Sequence, residues 1–161
     1  MKITHAFPVV FLSNPFYRGM VEKMILIGTG ICGLVFSWKT CSIFPVSHIL
    51  GGILVLLAYA FHRWTEKDHR QTHKESQEIE HIVTTGVFSK IRHPLYLSLI
   101  AMNIGIAFAF GVMITVALAL LTILHWVITA LEEEAVLLKK FPDEYTKYIH
   151  EVRWRMIPGI F

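Results

Sequence analysis

The segment that decides the fold is RHPLYLSLIAMNIGIAFAFGVMITVALALLTILHWVITALEEE, residues 92–134. It carries no Asp, Glu, Lys or Arg between Arg92 at its start and the run Glu132-Glu133-Glu134 at its end. Gly111 lies in the middle, where a residue without a side chain permits a tight turn. This pattern predicts a helical hairpin whose two charged ends return to the same side of a membrane.

The composition of the whole chain supports a membrane protein. The 161 residues are 54% apolar and 17% charged, with a mean hydropathy of +0.53, values that are rare in soluble domains. We therefore predict an all-α, polytopic protein of about four transmembrane helices, in a single domain over residues 1–161. Residues 1–64 hold two N-terminal spans, and residues 65–161 hold a polar loop, the hairpin and C-terminal helices. The candidate spans are residues 21–38, 45–64, 94–110 and 112–130.

The basic residues predict the orientation. The loop between spans two and three, the C-terminal tail and the N-terminus hold most of the Lys and Arg residues, whereas Lys39 alone lies between spans one and two. The positive-inside rule places both termini and the long loop in the cytoplasm. The net charge of +3 is modest, and the basic residues form no stripe with interleaved aromatic residues, which argues against a nucleic-acid partner.

The tail after Ala130 predicts an amphipathic helical segment rather than another span. We expect one helix to end near Lys140 and a second to begin at Pro142, because proline disfavours helix at the preceding residue but suits a first helical position. This tail is expected to lie on the membrane or against residues 66–92. Its apolar residues recur every three or four positions, at Leu131, Ala135, Leu138, Phe141, Tyr145, Tyr148 and Val152.

The run Gly28-Thr29-Gly30-Ile31-Cys32-Gly33 matches the pattern G-x-G-x-x-G. That pattern indicates a dinucleotide site only when it follows a strand and opens a helix in a βαβ unit. Here it lies inside an apolar span, where small residues commonly allow helices to approach closely. Helix packing is therefore the preferred interpretation.

Four histidines raise the question of a metal site. His69 and His73 are four residues apart, and His62 and His81 flank them. Two histidines on one helical face can bind zinc, but no cysteine lies nearby and the pattern His-Glu-x-x-His is absent. We interpret the region as a solvated loop and expect no metal.

Two short motifs at the ends of the hairpin are candidates for function. Pro94 suits the first position of a helix, which places Arg92 and His93 at the membrane surface; a simple helix start would explain everything except Tyr96. The three carboxylates at 132–134 subtend about 200° of a helix, so at least one must point inward. A solvated helix end is the alternative for this second motif.

Taken in order, these motifs resemble a family of integral membrane methyltransferases, the isoprenylcysteine carboxyl methyltransferase and phospholipid methyltransferase superfamily. The resemblance covers residues 80–158, about half of the chain, and implies an enzyme that uses S-adenosylmethionine without a Rossmann domain. It is carried by GVFSKIRHPLY at 86–96, the hairpin, Glu133-Glu134, Leu137, Phe141, Tyr145, Tyr148, Val152 and Arg155-Met156-Ile157-Pro158.

The resemblance also implies which residues bind the cofactor. The sulfonium and amino groups of S-adenosylmethionine favour a carboxylate such as Glu133, and its own carboxylate suits Arg92, His93 and a helix N-terminus. No activated nucleophile is required, because the methyl group is already activated by positive sulfur and needs mainly alignment. The implied cofactor-binding residues are Glu80, His81, Ile82, Val83, Phe88, Arg92, His93, Pro94, Leu95, Tyr96 and Glu133.

One position departs from the pattern of the superfamily. Members that act on prenylated cysteine tend to carry an arginine four residues before the cofactor glutamate, and here that residue is Thr129. Arg153 and Arg155 are candidates to replace it. We expect methyl transfer to a lipophilic small molecule or lipidated acceptor that enters from the membrane lipids. The alternatives are a membrane reductase of sterol-reductase type using NADPH, and a non-enzymatic membrane interaction protein.

Overall fold

The computed structural model describes residues 14–40, 45–68 and 78–161. Within these ranges the protein is helical and contains no strand, apart from an isolated bridge between Thr40 and Val112. The prediction of an all-α fold is therefore confirmed for the described residues. The helices are α1 (Pro15–Val35), α2 (Val46–Asp68), α3 (Pro94–Phe110), α4 (Met113–Lys140) and α5 (Pro142–Glu151), with a short 3-10 helix at Gly86–Ser89.

Helix α1 begins earlier than the apolar pattern predicted. The span was expected to start near Val21, but the helix starts at Pro15, because Asn14 caps it and proline is preorganised for the first turn. The Asn14 side chain accepts a hydrogen bond from the Phe16 amide at 2.9 Å. This early start brings Arg18 into the helix, where its side chain reaches α4.

The hairpin forms as predicted. Helix α3 ends at Phe110, and Gly111 adopts the left-handed conformation with φ of 66°, which a residue with a side chain rarely adopts. Helix α4 then begins at Met113 and continues past the apolar stretch to Lys140. Both charged ends of the hairpin consequently lie at the same end of the helix pair.

Glycines set the closest helix contacts. A Cβ atom on Gly51 of α2 would lie 2.3 Å from the backbone nitrogen of Ala109 in α3, and one on Gly105 would lie 2.8 Å from the Val55 side chain. Within the G-x-G-x-x-G run, Cβ atoms on Gly30 and Gly33 would collide with Phe110 and Val112. The packing interpretation of that run is thus confirmed for these two glycines.

The helix surfaces are suited to lipid. Apolar residues such as Val35, Leu56 and Leu124 are more than half exposed, which would be unfavourable over so wide a surface in water. By length and composition, two helices could cross a membrane, Val46–Lys67 and Met113–Lys140, and the apolar helix Pro94–Phe110 is shorter. The four-span arrangement, its orientation and the division into two halves stay predictions.

The tail folds back over the start of α3. Helix α4 ends at Lys140 and α5 begins at Pro142, as predicted from the proline. Tyr145 and Tyr148 of α5 are buried in a cluster that also contains Ile79. After α5 the chain pairs with the segment that precedes α3, since the amides of Arg92 and His93 donate to the carbonyls of Trp154 and Arg155 at 2.9 and 2.7 Å. The predicted location of the tail on a membrane surface stays a prediction.

Candidate functional site

The two ends of the hairpin meet in a network of charged side chains, which we call the outer cluster: Arg92, His93, Glu133, Glu134 and Arg155. Arg92 Nε donates to Glu134 Oε1 at 2.8 Å, and His93 Nε2 lies 3.2 Å from the same oxygen. His93 Nδ1 lies 3.5 Å from Glu133. The predicted meeting of the cationic helix start with the carboxylates is therefore confirmed.

Glu134 is the central residue of the outer cluster, whereas the resemblance implies Glu133 as the carboxylate that contacts the cofactor. Its second oxygen accepts from Arg155 Nε at 3.0 Å, and its side chain is 7% exposed. The inward direction could have been recognised, because Glu134 lies on the same helical face as the buried residues Ala130 and Leu137. Glu134 thus holds the α3 start, α4 and the tail together.

His93 has a carboxylate at each ring nitrogen. Burial acts to lower the pKa of His93, but hydrogen bonds and charge interactions with Glu133 and Glu134 outweigh it, so the pKa lies above its ordinary value. With two acceptors facing it, the ring is expected to be an imidazolium that donates from both nitrogens. Its charge offsets the two carboxylates.

A cavity lies beside the outer cluster, between α3, α4 and α5. Its volume is about 70 Å³, and it is partly open. Of the residues predicted to bind the cofactor, all except Glu80 and Pro94 line it; Pro94 is buried as the first residue of α3, and Glu80 is exposed. The sequence did not predict the remaining lining residues, which are Pro15, Ile79, Leu137, Tyr145 and Tyr148.

Arg92 reaches the cavity with part of its hydrogen-bonding capacity unused. Its Nε donates to Glu134, and its Nη1 donates to the carbonyls of Val152 and Arg153 at 2.7 and 3.0 Å. Its Nη2 makes no hydrogen bond to the described residues, so an anion at the cavity wall would find a donor there. The guanidinium itself is held rigid by its other contacts.

Tyr145 and Tyr148 close the cavity from α5. Burial raises the pKa of both hydroxyls, so both remain protonated. The Tyr148 hydroxyl donates to the carbonyl of Phe88 at 2.7 Å, which ties α5 to the 3-10 helix. The tail therefore forms one wall of the site.

A second group of polar side chains, which the sequence did not reveal, lies between α1, α3 and α4. We call it the inner cluster: Arg18, Glu22, Asn103, His125 and Thr129. The Glu22 carboxylate accepts from Asn103 at 2.9 Å, from the Trp126 indole at 2.8 Å, and from His125 Nδ1. Glu22 lies at the edge of the predicted span 21–38, where a charged residue is common, so no sequence pattern indicated this role.

Arg18 contacts Thr129, the position at which the resemblance leads us to expect an arginine. Its Nη1 donates to Thr129 Oγ1 at 3.0 Å and lies 3.2 Å from His125 Nε2, and its guanidinium lies 5.0 Å from the centre of the Trp126 ring. Of the two replacements considered from the sequence, Arg155 is bound to Glu134 and Arg153 is exposed. The guanidinium at Thr129 comes from α1 instead.

An apolar groove of about 490 Å³ runs between α1, α2 and α3. It is lined mainly by aliphatic and aromatic residues, with Lys23 and His62 as its charged or polar exceptions. Pro15 and Leu95 line both this groove and the cavity beside the outer cluster. The two spaces therefore adjoin, one polar and one apolar.

Two of the four histidines considered as metal ligands lie in the described part of the chain. His62 hydrogen bonds to Ser98 at 2.8 Å, and His81 lines the cavity. His69 and His73 lie outside the described residues. Among residues 14–40, 45–68 and 78–161, no group of three His, Cys, Asp or Glu side chains is arranged to hold a metal ion.

Comparison with known families gives one result. A model of the family described as phospholipid methyltransferase matches residues 46–144, which is more than half of the chain and includes α2, α3 and α4. No curated protein matches the chain. The match includes the start of α3 and Glu133, and it ends inside α5.

Proposed function

The chain belongs to the phospholipid methyltransferase family, and we propose that it transfers a methyl group from S-adenosylmethionine to a lipophilic acceptor in the membrane. The family is part of the isoprenylcysteine carboxyl methyltransferase-type superfamily, so the protein is a membrane methyltransferase. The methyl donor, the acceptor and the residues that bind them are the parts we propose. Membership of this family gives no support to a reductase or to a non-enzymatic role.

The observation that carries the proposal is the distribution of charge around the cavity. Glu133 faces it beside His93, and Arg92 offers its remaining donor Nη2. S-adenosylmethionine carries a sulfonium and an ammonium group, which suit Glu133 and the faces of Phe88 and Tyr96. It also carries a carboxylate, which suits Arg92 and the N-terminus of α3.

The size of the cavity is consistent with partial enclosure of such a donor. The volume is about 70 Å³, so a molecule as large as S-adenosylmethionine fills this volume and extends beyond it. Ile79, Ile82 and Val83 provide apolar surface along the same wall. The described residues thus fit the polar end of the donor and part of its apolar surface.

When bound, the donor would supply a methyl group that positive sulfur has already activated for displacement. The protein then mainly has to align donor and acceptor and to exclude water. Glu134 fixes Arg92 and His93 in place, and α5 covers the cavity with Tyr145 and Tyr148. The adjoining apolar groove gives a lipophilic acceptor a route from the bilayer, past Pro15 and Leu95.

Direct binding tests this proposal. Purified protein in detergent is titrated with S-adenosylmethionine and with its demethylated product, and we expect saturable binding of both. Glu133→Gln and His93→Ala should abolish that binding while the helical circular dichroism persists. Glu132→Gln is the matched control, because Glu132 forms no hydrogen bond or ion pair with the described residues.

Two outcomes would refute the proposal or the site. An absence of saturable binding in the wild type would reject the methyl donor, and binding of NADPH in its place would favour the reductase. Wild-type affinity in both variants would reject the assigned residues. Methyl-labelled donor incubated with prenylcysteine, phospholipid and thiol acceptors would then identify the product.

A further inference from the structure

A third group of polar side chains joins α2 to α3 and belongs to neither cluster. His62 Nδ1 lies 2.8 Å from the Ser98 hydroxyl, and His62 Nε2 lies 3.5 Å from Glu66 Oε1. Glu66 also pairs with Arg63. The serine, the histidine and the glutamate therefore form a continuous polar chain that begins at the interface between the two helices.

The hydrogen bonds of Ser98 define which nitrogen of His62 can take up a proton. Ser98 is fully buried, and its hydroxyl donates to the carbonyl of Leu95. Because a hydroxyl has only one proton to donate, its oxygen accepts the hydrogen bond from His62 Nδ1. A neutral imidazole with its proton on Nδ1 has a lone pair on Nε2, so Nε2 is the basic nitrogen.

Glu66 is placed to stabilise the charge that protonation of His62 creates. An imidazolium would donate to Ser98 from one nitrogen and face the Glu66 carboxylate with the other. The side chains of His62 and Glu66 are 15% and 12% exposed, whereas that of Arg63 is 57% exposed. A proton on Nε2 is therefore separated from the exposed Arg63 side chain by a single carboxylate.

His62 lines the apolar groove close to its junction with the cavity. Its partner Ser98 lies one helical turn after Leu95, and Leu95 lines both spaces. The imidazole is thus linked through the Ser98 hydroxyl to the residue at which the two spaces meet. A molecule in the groove can contact His62 while its polar end lies near the junction.

The charged groups around His62 come from two helices. On α2 they are Arg63 and Glu66, and across the groove α1 contributes Lys23, whose Nζ donates to the carbonyl of Gly19 at 3.1 Å. The wall formed by α3 is apolar, and Ser98 is its contact with the imidazole. Of the residue types that line the groove in the described part of the chain, only histidine ordinarily exchanges a proton near neutral pH.

We propose that His62 accepts a proton from the methyl acceptor, and that the acceptor is an amphiphile whose reacting group is an amine or a thiol and whose apolar chain lies in the groove. This inference rests on the proposed function. Amines and thiols are largely protonated near neutral pH and must lose a proton when they are methylated, whereas a carboxylate is already ionised. A base beside the groove therefore serves an amine or a thiol and not a carboxylate.

The proton passes from the ammonium or thiol group to His62 Nε2, which becomes positively charged beside Glu66. The electron pair that this frees on nitrogen or sulfur forms the new bond to the methyl carbon. The bond between that carbon and the sulfonium sulfur breaks, and its electron pair stays on that sulfur, which becomes neutral. An ammonium gives a methylated ammonium, a thiol gives a neutral thioether, and His62 returns its proton to water.

Three acceptors with the same alkyl chain test the substrate class. The full chain, in micelles of an uncharged maltoside detergent, is incubated with methyl-labelled S-adenosylmethionine and with dodecylamine, dodecanethiol or dodecanoate. We expect label in the amine or in the thiol and none in dodecanoate, and the two protic arms show which group the site takes. Transfer to dodecanoate that equals or exceeds transfer to both others, including no transfer to any of the three, would overturn the inference.

The variant His62→Gln assigns the proton transfer to the imidazole, since glutamine keeps a polar contact with Ser98 but takes up no proton. A general base contributes about 10²–10⁴-fold, so kcat/KM for the methylated acceptor should fall by about 100-fold or more. His48→Gln is the matched control, because His48 also lies on α2 and its Nδ1 lies 2.6 Å from the Ala109 carbonyl of α3. Its kcat/KM should stay close to that of the wild type, and equal losses in the two variants would indicate a structural role instead.

Added imidazole provides a positive test that a structural role does not pass. In His62→Ala, free imidazole should restore kcat/KM by about tenfold or more, because it replaces the missing base. The restored rate should rise with pH as the neutral fraction of imidazole increases, and His48→Ala should show no such response. If a His62→Ala protein with wild-type helical circular dichroism is not rescued, His62 is not the base. If the alanine variant fails to fold, the glutamine variant decides.

Binding of S-adenosylmethionine distinguishes this inference from the proposed function. His62→Gln should bind it about as tightly as the wild type, because His62 is not among the residues that line the cavity. If the wild type does not bind S-adenosylmethionine, the proposed function fails and this inference fails with it. If the wild type binds it but methylates only dodecanoate, or if the His62 and His48 variants behave alike, this inference fails alone.

Discussion

The outer and inner clusters both place polar side chains inside an apolar helix bundle, but they differ in how fully those side chains are hydrogen bonded. In the outer cluster Glu134 receives Arg92, His93 and Arg155, and none of its side-chain polar atoms is both buried and unpartnered within the described ranges. In the inner cluster, Arg18 Nε and Asn103 Oδ1 are buried without a partner among the described residues. We call the first network complete in this sense only, that each of its buried side-chain polar atoms is paired, and the second incomplete.

This difference suggests that the two clusters have different tasks. A completed network of buried charges holds its members rigidly, which suits residues that must fix a cavity wall. Three members of the complete network, Arg92, His93 and Glu133, line the cavity, whereas no member of the incomplete network does.

The largest expected effect comes from breaking the complete network. Glu134→Ala removes the carboxylate that pairs with Arg92. The Arg92 side chain is 3% exposed, so the variant leaves a buried positive charge without this partner. Loss of one member of such a pair generally destabilises a protein by about 3–5 kcal/mol. Denaturation by sodium dodecyl sulfate, followed by circular dichroism, measures this loss. Glu132→Gln should stay within about 0.5 kcal/mol of the wild type; a loss below about 1 kcal/mol in Glu134→Ala would contradict the difference between the clusters.

The inner cluster should be less sensitive. Glu22→Gln keeps one acceptor oxygen but removes the negative charge that faces Asn103, His125 and Trp126. Hydrogen bonds to charged groups contribute about 1.5–3 kcal/mol, and we expect a loss in that range by the same unfolding measurement. Glu151→Gln, at an exposed position, is the control. A loss larger than that of Glu134→Ala would reverse the comparison.

The smallest expected effect is a dependence of stability on pH. The folded-state pKa of His93 is raised above its unfolded value, so its contribution is fully present below the unfolded pKa of about 6.5 and is lost as the pH rises through the folded value. The free energy of unfolding should therefore fall with rising pH, by at most about 1.4 kcal/mol per pH unit for one proton.

His93→Gln should remove this dependence, whereas His150→Gln, at an exposed site on α5, should retain it. Unfolding curves at a series of pH values from about 5 to 9 provide the measurement. If the wild type and His93→Gln show the same slope, the imidazolium between Glu133 and Glu134 is not the cause, and the outer cluster is less strongly coupled than its distances indicate.

Much of the fold followed from local features of the sequence. Gly111 between two apolar stretches predicted the hairpin, Pro142 predicted the break between α4 and α5, and the glycines in α1 predicted close packing. Glycine and proline affect the backbone conformation of the residues next to them in the sequence. Their effects can therefore be predicted without knowing which helices pack together. The resemblance carried by the motifs around the hairpin named eleven residues, of which nine line the cavity, and it missed five others.

The features that escaped prediction depend on partners far away in the chain. Glu22 and Asn103 are 81 residues apart, and Arg18 and Thr129 are 111 apart, so no local pattern connects them. The early start of α1 at Pro15 also had to be known before Arg18 could be placed on a helix. The position of Glu134 at the centre of the outer cluster depends in the same way on the rotation of α4 against α3.

By itself, then, the sequence determined the helical class and the hairpin with its two charged ends, because hydrophobic periodicity, glycine and proline act locally. The tertiary structure alone decided how the charges are paired, and that the guanidinium in contact with Thr129 belongs to Arg18 of α1. Pairing of buried charges depends on distances of a few ångströms between helices, which are set only when the glycines of α1, α2 and α3 allow those helices to pack.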